Sequence, residues 1–220
     1  MSAALLFDLD GTLVDSDAGH LEAFQRVFAQ HGVELDRAAY VARIMGASND
    51  AIALAFLSHL PSDLQAATLA AKEAAYRDGL GRLDPIAGAS ALLDFAEARG
   101  LGRAVVTNAP RANADVVLKA IGLDGRLPIR VIGPELARPK PDPLPYLTGL
   151  ERTGARAENS VAFEDSPSGV RAAVAAGLAV VGLTTSLDAH RLIALGANLA
   201  VADFTDPRIY ELIESRLPSA

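Results

Sequence analysis

The feature that most narrows the folds open to this chain is a series of short, mainly apolar runs. They lie at residues 3–7, 103–106, 129–132, 160–163, 179–183 and 199–201. The first, continuous from Ala3 to Phe7 with no polar alternation, reads as a strand buried on both faces, the kind found in parallel sheets. From Gly88 onward the runs are separated by segments of helical spacing, at 89–99, 111–121, 144–153, 168–176 and 188–195, with a last one at 207–216. Strands alternating with helices of about ten residues build βαβ units. The expected fold class is therefore α/β with a parallel sheet.

The first run ends in Asp8-Leu9-Asp10-Gly11-Thr12. Ligands of open α/β sheets sit outside the carboxyl ends of the strands, so these carboxylates lie where chemistry is usually built. Two like charges so close push their pKa values apart unless a cation joins them. That gives one ionised carboxylate beside one proton donor, or a metal site. Asp and Gly are also ordinary turn residues, and a plain Asx-type turn is the competing reading. Other strands end in a similar way. Thr107-Asn108 follows 103–106, Glu164-Asp165 follows 160–163, and Lys140 lies in the loop 133–143 after 129–132.

A parallel sheet brings all of these to one edge. The set suits phosphoryl transfer, whose barrier falls through positioning and through cations placed where negative charge develops. Several carboxylate ligands select a hard ion, and Mg²⁺ is the usual partner of phosphate oxygens. Lys140 would add a fixed positive charge, and Thr107 and Asn108 would donate to phosphoryl oxygens. A solvated Lys140 in a rigid Pro-Lys-Pro turn is the plainer alternative for that residue.

Between the first two strands no strand pattern appears. Leu21, Phe24, Val27 and Phe28 recur at helical spacing, and His31-Gly32 closes that helix. Further helices are expected at 36–45, 49–58 and 63–78, with Asp36, Asn49 and Ser62-Asp63 as N-caps and Gly46 and Gly79 as stops. This block reads as a helical insertion. Ser166 and Ser168 suit the N-cap of the helix that follows them, and Ser16 the start of the insertion's first helix.

Composition excludes several classes. There is no Cys, hence no disulfide, thiolate metal site or cysteine nucleophile. A net charge of −7 argues against nucleic acid as the partner. No apolar run approaches the ~18 residues of a membrane span. With no room for a signal peptide before the first strand, a cytoplasmic protein is expected. Oligomeric state is open, with a monomer or weak homo-oligomer expected.

Phe7-Asp8-Leu9-Asp10-Gly11-Thr12-Leu13-Val14-Asp15-Ser16 resembles the first motif of the haloacid dehalogenase-like hydrolases, Asp-x-Asp-x-Thr. That family's later motifs, a Ser/Thr ending the second core strand, a Lys in a later loop and an acidic pair ending a further strand, are matched in order by Thr107, Lys140 and Glu164-Asp165. The resemblance covers nearly the whole chain. It implies a doubly wound, Rossmann-like core at 1–16 and 82–220, with a helical C1 cap at 17–81. It also implies a phosphatase acting on a small phosphate ester, with Asp8 as the nucleophile that becomes an aspartyl-phosphate. Asp10 would protonate the leaving alcohol and then activate water. Asp8, the backbone carbonyl of Asp10 and Asp165 would hold Mg²⁺, with Glu164 in support, and Lys140 would balance Asp8 and the phosphoryl group. Asp10 is absent from the dehalogenase branch and changed in the phosphonate-cleaving branch, which disfavours both. Arg43 is a candidate contact for an anionic substrate, although a solvated Arg43 is as good a reading. His20 stands where the family often has a cap-hinge His.

The alternative enzyme is a sugar-phosphate mutase. The Lys and Arg that grip a second phosphate in such mutases align here with Met45 and Asn49, which weakens that reading. A receiver-like signalling module shares the Asp, Thr, Lys and Mg²⁺ but is about half as long and lacks the Asp-x-Asp loop.

Overall fold

The structure is a computed structural model described over residues 2–45, 47–81 and 83–217. In chain order its elements are β1 (Ala4–Phe7), α1 (Asp17–Phe28), α2 (Arg37–Arg43), α3 (Asn49–Phe56), α4 (Ser62–Asp78), α5 (Ala89–Ala98), β2 (Gly102–Thr107) and α6 (Arg111–Ala120). There follow β3 (Ile129–Ile132), α7 (Leu144–Thr153), β4 (Val161–Glu164), α8 (Pro167–Ala175), β5 (Ala179–Leu183), α9 (Ala189–Ala194), β6 (Leu199–Val201) and α10 (Arg208–Arg216). The strands form one parallel sheet in the order β3-β2-β1-β4-β5-β6. That is the doubly wound, Rossmann-like order expected. Its direction of winding reverses between β1 and β4, the switch point at which such sheets bind ligands.

Register fixes what meets there. Phe7 lies opposite Val105 on one side and Phe163 on the other. The next step places Asp8 beside Glu164, and the Asp8 N–H donates to the Phe163 carbonyl at 3.0 Å. Strand β4 runs one residue further than the apolar run alone suggests, because Glu164 pairs with Gly182 of β5.

Successive side chains of a strand face opposite ways. Phe7 and Phe163 stack on one face, centroids 4.8 Å apart, with Phe204 against Phe163 at 5.4 Å. Leu6 and Ala162 face the other way, into a core with Val106, Val131, Tyr146 and Val170 that is roofed by α7, α8 and α9. Helix α7 comes unusually close to the sheet at Gly149, where a Cβ would press on Leu6 and Val106. Asp8 and Glu164 share the face of Leu6 and Ala162, so both carboxylates turn toward α7 and α8.

The chain divides into two compact units, Met1–Asp15 with Leu83–Ala220, and Ser16–Arg82. The second contains α1 to α4 around a core of Phe24, Phe28, Tyr40, Ile44, Ile52, Leu57 and Leu69. Asp36 caps α2, accepting from the Ala39 N–H at 2.7 Å. Helix α3 is capped by Ser48 rather than Asn49, and α4 follows Pro61 with no side-chain cap from Ser62 or Asp63. Gly32, at φ 70°, ends the first helical stretch, and Gly79 ends α4. The stop expected at Gly46 lies outside the described residues. Helix α8 is capped by Ser166, which leaves Ser168 inside it, and Ser16 precedes α1 without a side-chain cap bond.

Candidate active site

The loop after β1 is a tight turn. Gly11 donates to the Val14 carbonyl at 2.7 Å, and the amides of Thr12, Leu13 and Val14 converge on the Leu9 carbonyl. Gly11 is required twice over. Its φ of 78° is one that side chains disfavour, and a Cβ there would collide with the Asp165 carboxylate. The turn thus brings Asp165 against the Asp8 loop, where the Thr12 hydroxyl donates to Asp165 Oδ1 at 3.2 Å.

Oxygens of Asp8, Glu164 and Asp165 lie within 4.8 Å of one another, and all three residues are buried. One ammonium joins two of them. Lys140 Nζ donates to Asp8 Oδ1 at 2.6 Å and to Glu164 Oε1 at 2.6 Å, with only 2% of its side chain exposed. The solvated reading of Lys140 is thereby excluded. Its backbone is held as firmly. Lys140 N–H donates to Asn108 Oδ1 at 3.2 Å, and Asn108 Nδ2 donates back to the Lys140 carbonyl at 3.1 Å. Gly133 leaves room for this clamp, since a Cβ there would run into Asn108 Oδ1.

Burial pushes the Asp8 carboxyl well above the usual aspartate range; Lys140 opposes that, and Glu164 and Asp165 add to it. For Lys140 burial acts downward, but the Asp8 and Glu164 charges outweigh it and the ammonium is held above its ordinary value. Three carboxylates against one ammonium leave an excess of negative charge. Crowded carboxylate oxygens with that excess suit a hard divalent cation, and the donor set fits one.

Glu164, expected in support of the ion, also accepts hydrogen bonds from within the protein. Oε1 accepts from Lys140 and from the Tyr146 hydroxyl at 2.8 Å. Oε2 accepts from the Asp165 and Ser166 amides and the Ser166 hydroxyl. Asn108, expected on phosphate, also holds the Lys140 backbone through its carboxamide. Thr107 lies at the end of β2, and its oxygen accepts from the Ala109 N–H at 3.0 Å, which leaves its own proton to donate. Asp10 is half-buried on the turn and its side chain is outside the three-carboxylate group.

Arg43 sits in the helical unit, with Nη2 donating to the Ala55 carbonyl at 3.1 Å and the guanidinium 4.5 Å from the Phe56 ring centroid. Those contacts tie α2 to the end of α3. In the same unit His20 stacks on Tyr76, and its Nδ1 lies 3.0 Å from Lys72 Nζ.

Sequence reasoning missed Tyr146, Thr12 and Ser186. Ser186 donates to Asp165 Oδ2, and Thr185 donates to the Gly11 carbonyl at 2.5 Å. Both follow β5, so the rule that picked out the other strand ends would have found them. Tyr146 carries no such signal, because an aromatic at helical spacing reads as core.

A family model described as haloacid dehalogenase-like hydrolase matches residues 5–183. Validoxylamine A 7'-phosphate phosphatase from Streptomyces hygroscopicus subsp. limoneus is 33% identical over 211 residues, covering 94% of this chain and 97% of the relative. Phosphoglycolate phosphatase from Rhodospirillum rubrum is 34% identical over 213 residues, covering 93% and 88%. Among solved structures, a CbbY variant from Rhodobacter sphaeroides in complex with xylulose-(1,5)bisphosphate aligns at a TM-score of 0.82 and 28% identity over 94% of this chain and 96% of that one. A sheet wound in this order, with its motifs matched along most of its length, places the chain in a known family: it belongs to the haloacid dehalogenase-like hydrolases.

Proposed function

We propose that this hydrolase is an Mg²⁺-dependent phosphatase that cleaves a small organic phosphate monoester through an aspartyl-phosphate on Asp8. The observation that carries the reading is the Lys140 ammonium seated between Asp8 and Glu164, with Asp165 beside them. Lys140 leaves Asp8 Oδ2 for attack on phosphorus. As the Asp8–phosphorus bond forms and the ester bond breaks, Asp10 gives its proton to the departing alkoxide. Asp10 then takes a proton from water, whose oxygen attacks phosphorus and releases phosphate and Asp8. Lys140 and the Thr107 hydroxyl donate to phosphoryl oxygens throughout. The carboxylates of Asp8 and Asp165, with the Asp10 backbone carbonyl, would hold Mg²⁺. When bound, the ion offsets negative charge on the transferring phosphoryl group.

Asn108 is assigned to holding the Lys140 backbone, and Arg43 to joining helices within its own unit. The helical unit serves in this reading as the C1-type cap that excludes water during turnover. The relatives' names, phosphatases of phosphoglycolate and of validoxylamine A 7'-phosphate, support a small, diffusible ester. A net charge of −7 supports the absence of nucleic acid as a partner, and no helix among the described residues is long and apolar enough to cross a membrane. The enzyme is assigned to the cytoplasm, as a monomer or weak homo-oligomer.

The test is phosphate release from a panel of small phosphate esters, with Mg²⁺ or a chelator, for the wild type, Asp8→Asn and Asp10→Asn. The reading expects release by the wild type only, and only with the metal. Release that survives in Asp8→Asn contradicts it, and isomerised ester without release indicates a mutase.

A further inference from the structure

Tyr146 is fully buried in the first turn of α7, among the side chains on the Leu6 face of the sheet. Helix α7 approaches the sheet closely at Gly149, where a Cβ would press on Leu6 and Val106. The hydroxyl stands at the sheet's carboxyl edge and donates to Glu164 Oε1 at 2.8 Å, the oxygen that also accepts from Lys140. Burial holds the phenol well above its ordinary pKa, and the nearby Glu164 charge acts in the same direction, so it remains a donor. We infer that Tyr146 is a positioning residue for Lys140, acting through Glu164.

Glu164 Oε1 takes Lys140 and Tyr146, while Oε2 takes two amides and the Ser166 hydroxyl. Held at both oxygens, and with α8 pressed on it at Gly169, the carboxylate cannot rotate. Lys140 must reach Asp8 and Glu164 at 2.6 Å at once, and this works only if the second acceptor is fixed. A phenylalanine would leave Lys140 as the one described donor to Oε1, loosening the acceptor that the ammonium shares with Asp8. A buried hydroxyl also needs a partner, and a carboxylate is the strongest on offer.

The inference rests on the proposed phosphatase reading. Its test compares Tyr146→Phe with the wild type on the best ester of the panel, together with Mg²⁺ affinity by calorimetry without ester and thermal unfolding. The expected result is a loss in kcat of about tenfold, the size of one charge-assisted hydrogen bond. KM and the Mg²⁺ dissociation constant should stay within about twofold, since neither the ester nor the ion touches the phenol. Glu164→Gln, which removes the shared acceptor itself, should lose more in kcat than Tyr146→Phe. A Tyr146→Phe enzyme with wild-type kcat overturns the inference, whether or not it melts earlier. So does a fall in Mg²⁺ affinity that matches the fall in kcat. A wild type that releases no phosphate overturns the functional reading instead, so the two failures are distinguishable.

Discussion

Lys140 lies where burial and charge compete most strongly. An ammonium this deep stays charged because two carboxylates grip it, and its charge in turn offsets the burial of those carboxylates. Lys140→Met should therefore cost both properties. Turnover should fall by about 10²–10³, as for loss of a fixed donor to developing charge. Unfolding should become easier by about 3–5 kcal/mol, the usual penalty for stranding a buried partner. Kinetics and chemical denaturation on one preparation check both, and unchanged stability would contradict the role given to Lys140 as the cation that offsets these buried carboxylates.

Glycine supplies a second residue-scale prediction. At Gly169 a Cβ would meet the Glu164 carboxylate, whereas at Gly125 it would meet nothing within 4 Å. Gly169→Ala should lose activity and stability together, and Gly125→Ala should change stability by no more than about 0.5 kcal/mol. Thermal melts and initial rates of the pair decide it. At this scale the sequence was readable wherever function sits directly after a strand. Asp8, Thr107, Glu164 and Asp165 could be found that way because register carries them to one edge. Lys140 needed its loop to fold back, and Tyr146 was hidden because its ring does the work of a core residue while only its hydroxyl reaches the site.

At the scale of elements, α5 is fastened to its neighbours by charge. Arg126 donates to Glu97 at 3.1 Å, to Asp94 at 2.6 Å and to the Ser90 carbonyl at 3.1 Å, and Arg103 also pairs with Glu97. The hydrogen bond from Arg126 is the main reason that the Glu97 carboxyl is held below its ordinary value. A lowered folded pKa means stability that is present above the unfolded value and lost as pH falls through the folded one. The melting temperature of Arg126→Ala should thus lie below the wild type at neutral pH. The gap should close below the usual glutamate range and shrink with added salt, since these groups are partly exposed. A gap independent of pH would assign the effect to packing.

Element boundaries were legible where the chain carries its own cap. Asp36 and Asp188 do so, and Ser166 caps α8. The α3 cap falls one position earlier than expected, at Ser48, because Ser48 and Asn49 are both good caps and only the backbone, extended at Ser48, decides between them. Helix α4 was expected to carry a side-chain cap and instead begins after Pro61, whose fixed φ sets its entry.

For the molecule as a whole, the switch point between β1 and β4 gathers the negative charge that a divalent cation would offset. Mg²⁺ should accordingly raise the melting temperature of the wild type, by about 2.7 kcal/mol of linkage at a hundredfold excess over the dissociation constant. Asp165→Asn should largely abolish that rise while leaving the fold intact. A shift of equal size in both proteins would place the ion elsewhere.

The most direct test of the account is to find the phosphoryl group on the enzyme. Asp10→Asn mixed with a good ester and Mg²⁺, then quenched in acid, should yield an Asp8-containing peptide heavier by one phosphoryl group and sensitive to hydroxylamine. Finding no modified Asp8 while alcohol is released, or finding the group on another residue, would contradict the account.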